Sequence, residues 1–270
     1  MVETDSASFG LAKSPENPGW VKASYGCREM FGQWITGVFS AFGIFFYKQV
    51  IGLSAGLVTL AFVIWAVWNA FNDPIVGFIM EKYHFLWERK KGFRRFPWIV
   101  LGAIPWIISY FMLYMVPLEW TPEHDQWKIF IWLLVSLFFY DLFGTIYDVN
   151  VLSLFPVKFQ TLEERRKVQG WGTILGIVGI TLAFIIPPMF IGDGPRTYRD
   201  AALVSLIGAF FLFSLALPGV YENAAIRKFN LHTRAQNQKQ EPQPFFAYAK
   251  SVFSNKTFMI KVLFFFGYQA

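Results

Sequence analysis

Long apolar runs separated by polar connections organise this chain. They predict six complete membrane-spanning helices at roughly 30–51, 53–80, 98–117, 127–155, 172–191 and 201–221, each near the ~20 residues that a hydrocarbon core requires. A seventh run opens near Phe258 and stops at Ala270, short of a full span. The expected organisation is a leader over 1–29, an all-α six-helix membrane bundle over 30–221, a polar link over 222–257 and the start of a seventh span over 258–270. A chain that ends inside a helix is read as incomplete. An amphipathic surface helix is expected around 245–253, within the link.

Two of the runs break the apolar pattern. Span two carries Asn69, Asn72 and Asp73, followed by Pro74. Asn69 and Asp73 are spaced i, i+4, so they share one helical face. Span four carries Asp141, Thr145 and Asp148 at i, i+4 and i+7, again a single stripe. Ionisable groups at membrane depth are costly and usually face a bundle interior or a watery cavity. Three carboxylates, with no Lys or Arg inside the spans to pair with, point to a site for a cation, a proton or a hydroxylated solute. The plainer alternatives are that Asp73 bonds backbone groups freed by Pro74 and that Asp141 serves local geometry. Other features read as scaffold. Gly172, Gly176 and Gly179 form a small-residue face for close helix packing, Pro187-Pro188 predicts a kink, and Lys48 snorkels from the end of span one.

Composition agrees with the pattern. Of the 270 residues, 55% are hydrophobic and 16% charged, which fits an integral membrane protein and not a soluble domain. The net charge of +6 lies in the connections, so it marks topology and gives no reason to expect a nucleic-acid partner. Nineteen Lys and Arg fall on the side of the N-terminus and four on the other. The positive-inside rule then predicts a cytoplasmic N-terminus in a multi-pass protein of the cell (plasma or inner) membrane. The basic run Arg89 to Arg95 is mainly a topology determinant, with scope for anionic lipid contact. A lone Cys27 excludes an internal disulfide. His84, His124 and His232 lie in connections, and no metal-binding pair, phosphate loop or nucleophile motif is present, so an enzyme is not expected.

The stretch from Val50 to Val58, Trp68 through Gly77, Phe96-Pro97-Trp98, Thr145 to Asp148, Ser153-Leu154-Phe155-Pro156 and Glu163-Glu164-Arg165-Arg166 form an ordered set. That set resembles the glycoside–pentoside–hexuronide (melibiose-carrier-like) cation symporters, a branch of the major facilitator superfamily. The resemblance implies the N-terminal half of a twelve-span carrier with a central cavity and alternating access. It implies symport of a sugar, glycoside or related small solute with a cation, without a resident cofactor, the coupling ion being a proton or sodium. Asn69 and Asp73 match the two acidic cation-site positions of the second span, and Thr145 matches a further contributor, so Asp73 and Thr145 are where a transported sodium would bind. Asn69 removes one of the family's carboxylates, which weakens the case for sodium and leaves a proton, through Asp73, Asp141 or Asp148, as the other coupling ion. Asp148 matches a sugar-site aspartate. Asp141 has no family counterpart and is available for a proton. The span-one sugar-site aspartate falls near Gln33 or Trp34, and Ala66 and Thr173 stand where the family has arginines, so this is a divergent member. Trp68 and Tyr147, beside the polar groups in sequence, either stack on a sugar ring or pack. A non-transporting sensor or scaffold, and a carrier of a lipid-like amphiphile, are the alternative readings. The partners implied are a small solute, membrane lipid and a C-terminal half.

Overall fold

A computed structural model describes residues 16–83 and 86–237, together with the single positions Ser254 and Ile260. The described residues form eight α-helices and no strand. They are α1 (Gly19–Phe45), α2 (Ala55–Lys82), α3 (Leu86–Lys91), α4 (Phe96–Leu113), α5 (Gln126–Lys158), α6 (Leu162–Ile185), α7 (Pro195–Val220) and α8 (Ala224–Asn237). Six are long and apolar enough to cross a membrane: α1, extended by a π turn over Phe46–Val50, α2, α4, α5, α6 with its 3-10 extension, and α7. The six predicted spans are thus all present.

The ends follow local chemistry. Ser54 caps α2 by accepting from the Leu57 amide, and Thr161 caps α6 by accepting from the Glu164 amide at 3.2 Å. Gly52, at φ +83°, supplies the left-handed turn between the π turn and α2. Pro187 and Pro188 do more than bend the fifth span: α6 stops at Ile185 and the chain continues as a 3-10 turn over Pro187–Phe190.

Three helices begin more than a turn earlier than hydropathy predicts: α1, α6, and α7, which opens with Pro195 in its first turn. α1 starts at Gly19, well before Met30, because its first charged residues find local partners. Lys22 is ion-paired with Glu16, and Arg28 with Glu29 at 2.7 Å. α6 starts at Leu162, where the Thr161 cap and two acidic residues in the first turn favour a helix N-terminus. α8 (Ala224–Asn237) occupies the first part of the link expected over 222–257, ahead of the stretch where a surface helix is expected. The leader over 1–15, the helix expected at 245–253 and the seventh run lie outside the described residues.

The bundle is held by close crossings at glycine. α1 packs against α6 and α7, α4 against α5, and α2 against α5. The predicted small-residue face of α6 lies on α1: an added Cβ at Gly179 would strike the Met30 backbone, and Gly172 and Gly176 face Glu29. Between α4 and α5, a Cβ on Gly102 would lie 2.6 Å from the Tyr147 backbone nitrogen. The core between them is aromatic, with Phe31 edge-on to both Trp106 and Tyr147 at 5.5 and 5.2 Å between centroids. α2 and α6 bury only 17% and 22% of their most apolar windows, so most of their apolar surface needs lipid or a further partner.

At the end of α7, buried Glu222 accepts from the Arg95 and Phe96 amides at 3.1 Å each, the first free donors of α4, and from Asn230 of α8 at 3.0 Å. Burial pushes the Glu222 carboxyl above the ordinary glutamate value, against the pull of these hydrogen bonds. The folded chain therefore holds this proton more tightly than the unfolded chain does. Its contribution to stability is full below the usual glutamate range and is lost as pH rises through the raised value. Glu222→Gln, which keeps an acceptor, should leave the melting temperature near wild type and remove this pH dependence. Glu222→Leu, which strands two amides, should cost about 2 kcal/mol or more. Thermal unfolding of the detergent-solubilised variants across pH 4–7 checks both.

Candidate functional site

The polar stripes of α2 and α5 face one another. The Asn69 amide donates to Asp141 Oδ1 at 2.6 Å, and the Asn72 amide donates to Asp141 Oδ2 at 2.9 Å and to Thr145 Oγ1 at 3.0 Å. Thr145 Oγ1 in turn donates to Asp73 Oδ1 at 2.9 Å. Each group plays the role its chemistry allows: the carboxylates accept, the amides donate, and the hydroxyl does both. The network closes because Asn69, Asn72 and Asp73 sit at i, i+3 and i+4 on α2, opposite Asp141 and Thr145 at i and i+4 on α5. Asn72, Asp141 and Thr145 are buried, whereas Asn69 and Asp73 are exposed.

Asn69, Asp73, Asp141 and Thr145 of this network line a cavity of about 770 Å³ bounded by α1, α2, α4 and α5, with Asn72 buried behind them. Asp148 lines it from α5, Trp65 from α2, Trp106 from α4, and Arg28 and Glu29 from α1. The absence of a cationic side chain, expected from hydropathy, is corrected here. Arg28 belongs to helix α1 and not to a leader, is 93% buried by its relative exposure of 7%, and shares the cavity with Asp148. Its guanidinium lies 5.0 Å from the Tyr25 ring centroid and pairs with Glu29. Among the described residues no group of three or more His, Cys, Asp and Glu is placed to hold a metal ion. The oxygens around Asp73 and Thr145 are nonetheless of the hard type that suits sodium.

The other expected site residues separate. Gln33 lines a second, smaller cavity of about 360 Å³ between α1 and α6, with Glu29, Gln169 and Thr173. Glu29 borders both spaces. Trp68 and Tyr147, expected either to stack on a sugar ring or to pack, stand in packing contacts. Trp68 stacks on Phe138 at 5.0 Å and does not line the cavity. Tyr147 is 1% exposed, set among Phe31, Trp106 and Phe213. One step along an α-helix turns the side chain by about 100°, so neighbours of Asn69 and Asp148 in sequence point elsewhere. The Tyr147 hydroxyl is buried without a hydrogen-bond partner among the described residues. Tyr147→Phe should therefore hold or raise stability, within about 1 kcal/mol, and leave solute affinity unchanged. A melting curve and a binding isotherm on that variant check this.

Asn72, Arg28 and Glu29 are the residues that sequence reasoning left out of the site. Asn72 had a signal, an amide one turn from Asn69 in an apolar run. Arg28 and Glu29 had none, because the apolar run begins after them.

Comparison with known proteins places this geometry. The family model described as MFS/sugar transport protein matches residues 24–270. An uncharacterized symporter of Synechocystis is 27% identical over 168 residues, covering 61% of this chain and 30% of its own. The isoprimeverose transporter of Lactiplantibacillus pentosus is 24% identical over 174 residues, 63% of this chain and 34% of its own. The mouse sodium-dependent lysophosphatidylcholine symporter 1 is 24% identical over 202 residues, 66% of this chain and 37% of its own. The chain spans about a third of the length of these curated relatives. A family match over nine-tenths of the chain, on a bundle with six membrane-spanning helices and polar groups gathered at one internal cavity, meets the expectation from the residue motifs: this chain belongs to the MFS/sugar transport protein family.

Proposed function

We propose that these six spans are the N-terminal half of a secondary carrier that moves a sugar, glycoside or related small solute together with a proton or sodium. The observation that carries the reading is the hydrogen-bonded set Asn69–Asp141–Asn72–Thr145–Asp73 on the wall of a cavity large enough for a small solute. In this reading Asp73 and Thr145 hold the coupling cation, helped by Asn69, and Asp141 is held by two amides as a fixed or protonatable neighbour. Asp148 reaches the solute from the same wall, and Arg28 balances part of the negative charge. Binding near the bilayer midplane, between this half and a C-terminal half, is the usual arrangement in such carriers. The Lys and Arg bias supports a cytoplasmic N-terminus in a plasma or inner membrane.

The names of relatives support coupled transport and leave the cargo open between sugar-like solutes and a lysolipid. The polar cavity wall favours the sugar-like class. Uptake into proteoliposomes holding the full-length carrier tests this, across a panel of glycosides, uronides and a lysophospholipid, with proton and sodium gradients imposed separately. Asp148→Asn should raise the KM for the solute and leave the choice of ion unchanged. Accumulation of the lysophospholipid alone would move the cargo to the amphiphile class. No accumulation under either gradient by a folded, solute-binding protein would replace transport with sensing.

A further inference from the structure

Away from the polar cavity, a groove of about 600 Å³ lies between α3 and the flank of α4. Leu86 and Trp87 of α3 face Phe96, Val100, Leu101 and Ile104 of α4 across it, and among the described residues no ionisable side chain lines it. It shares no residue with the cavity of the polar network. Leu86 and Trp87 are 68% and 63% exposed, so the protein's own core does not hold these large side chains. From Phe96 to Pro105 an α-helix rises about 14 Å, close to half of a ~30 Å hydrocarbon core. The groove thus has the length of one leaflet.

Its charge is one-sided. Within one turn of Trp87, α3 presents Arg89, Lys90 and Lys91, all exposed and without a hydrogen-bond or ion-pair partner among the described residues. Glu88, the acid of that helix, is buried at 6% exposure and does not lie among them on the surface. An apolar slot of leaflet depth, with three cations without partners among the described residues beside Trp87 on α3, complements a molecule with a long hydrocarbon chain and an anionic head.

We propose that this groove holds one anionic diacyl phospholipid of the surrounding bilayer. An acyl chain lies along α4 from Phe96 to Pro105 beneath Leu86 and Trp87, and the phosphate meets Arg89, Lys90 and Lys91. A zwitterionic lipid brings its own cation to the same three charges and gains less there. The lipid would brace the connection between α2, which carries Asn69, Asn72 and Asp73, and α4.

The test compares retention of phosphatidylglycerol and phosphatidylcholine by the purified full-length protein, read by native mass spectrometry at matched lipid concentrations. The expected result is a preference for phosphatidylglycerol of roughly tenfold or more, removed in the Arg89→Gln/Lys90→Gln/Lys91→Gln variant. Leu101→Trp, which fills the groove without changing charge, should weaken retention as well. Phosphatidylglycerol brominated on its acyl chains should quench Trp87, read as the fluorescence difference between wild type and Trp87→Phe. Equal retention of the two lipids, an unchanged preference in the triple variant, or an unquenched Trp87 would each overturn the proposal. So would a dimer that buries this face and excludes lipid.

Discussion

Asp73→Asn is expected to abolish gradient-driven uptake while leaving solute binding in place. Asp73 is exposed at the cavity, and its Oδ1 takes the Thr145 hydroxyl proton at 2.9 Å. An asparagine carbonyl can take that same hydrogen bond, so the α2–α5 contact survives. The substitution removes the charge that a sodium ion needs and the site that a proton would occupy. A contact to a charged group contributes about 1.5–3 kcal/mol, so cation affinity should fall roughly tenfold to a hundredfold. Asp141→Asn differs in kind: both Asp141 oxygens accept amide protons, from Asn69 and Asn72, and a new NH2 group would oppose one of them. It should lower stability as well as uptake. The decisive comparison is uptake under an imposed proton or sodium gradient against solute counterflow at equal ion concentrations. Wild-type accumulation by the Asp73→Asn protein would make the network a structural clasp and not a coupling site.

Gly219→Val is expected to prevent the bundle from assembling. Gly219 lies where α7 crosses α1, and a Cβ there would overlap the backbone nitrogen and Cα of Tyr25. The Gly219 amide donates to Ser24 Oγ at 2.8 Å, and the Lys158 ammonium donates to the Gly219 carbonyl. Separating α7 from α1 breaks the bond to Ser24, moving α7 also strains the tie to Lys158 of α5, and backbone cannot change rotamer to make room. Overpacking ordinarily costs 1–3 kcal/mol, so this site should lose about 3 kcal/mol or more. Gly32, where an added Cβ meets no atom of another described helix within 4 Å, is the control on α1. Size-exclusion profiles and melting temperatures of Gly219→Val and Gly32→Ala measure the difference. A Gly219→Val protein that stays monodisperse and melts with wild type would mean that the helices do not cross so closely.

Hydropathy located the spans to within a turn or two at most ends, and missed where charge enters a helix. Lys22, Arg28 and Glu29 look like leader residues because a hydropathy window averages over neighbours, whereas an ion pair or a cavity satisfies each charge singly. The polar stripes of α2 and α5 were legible as stripes, since an i, i+4 spacing in an apolar run leaves little choice of face. Gly172, Gly176 and Gly179 were legible as a packing face for the same reason.

Sequence alone determined the class of this protein, its six spans, and the set Asn69, Asp73, Asp141, Thr145 and Asp148 from which a site can be built. Tertiary structure decided which members meet. It joined Asn72 to Asp141 and Thr145 and brought Arg28 to the same cavity as Asp148. It also sent Gln33 to a separate space and buried Tyr147 in the aromatic core. Periodicity fixes the face of a single helix, but which faces come together is set by crossings such as Gly102 on Tyr147 and Gly179 on Met30, where the absence of a side chain lets two backbones touch.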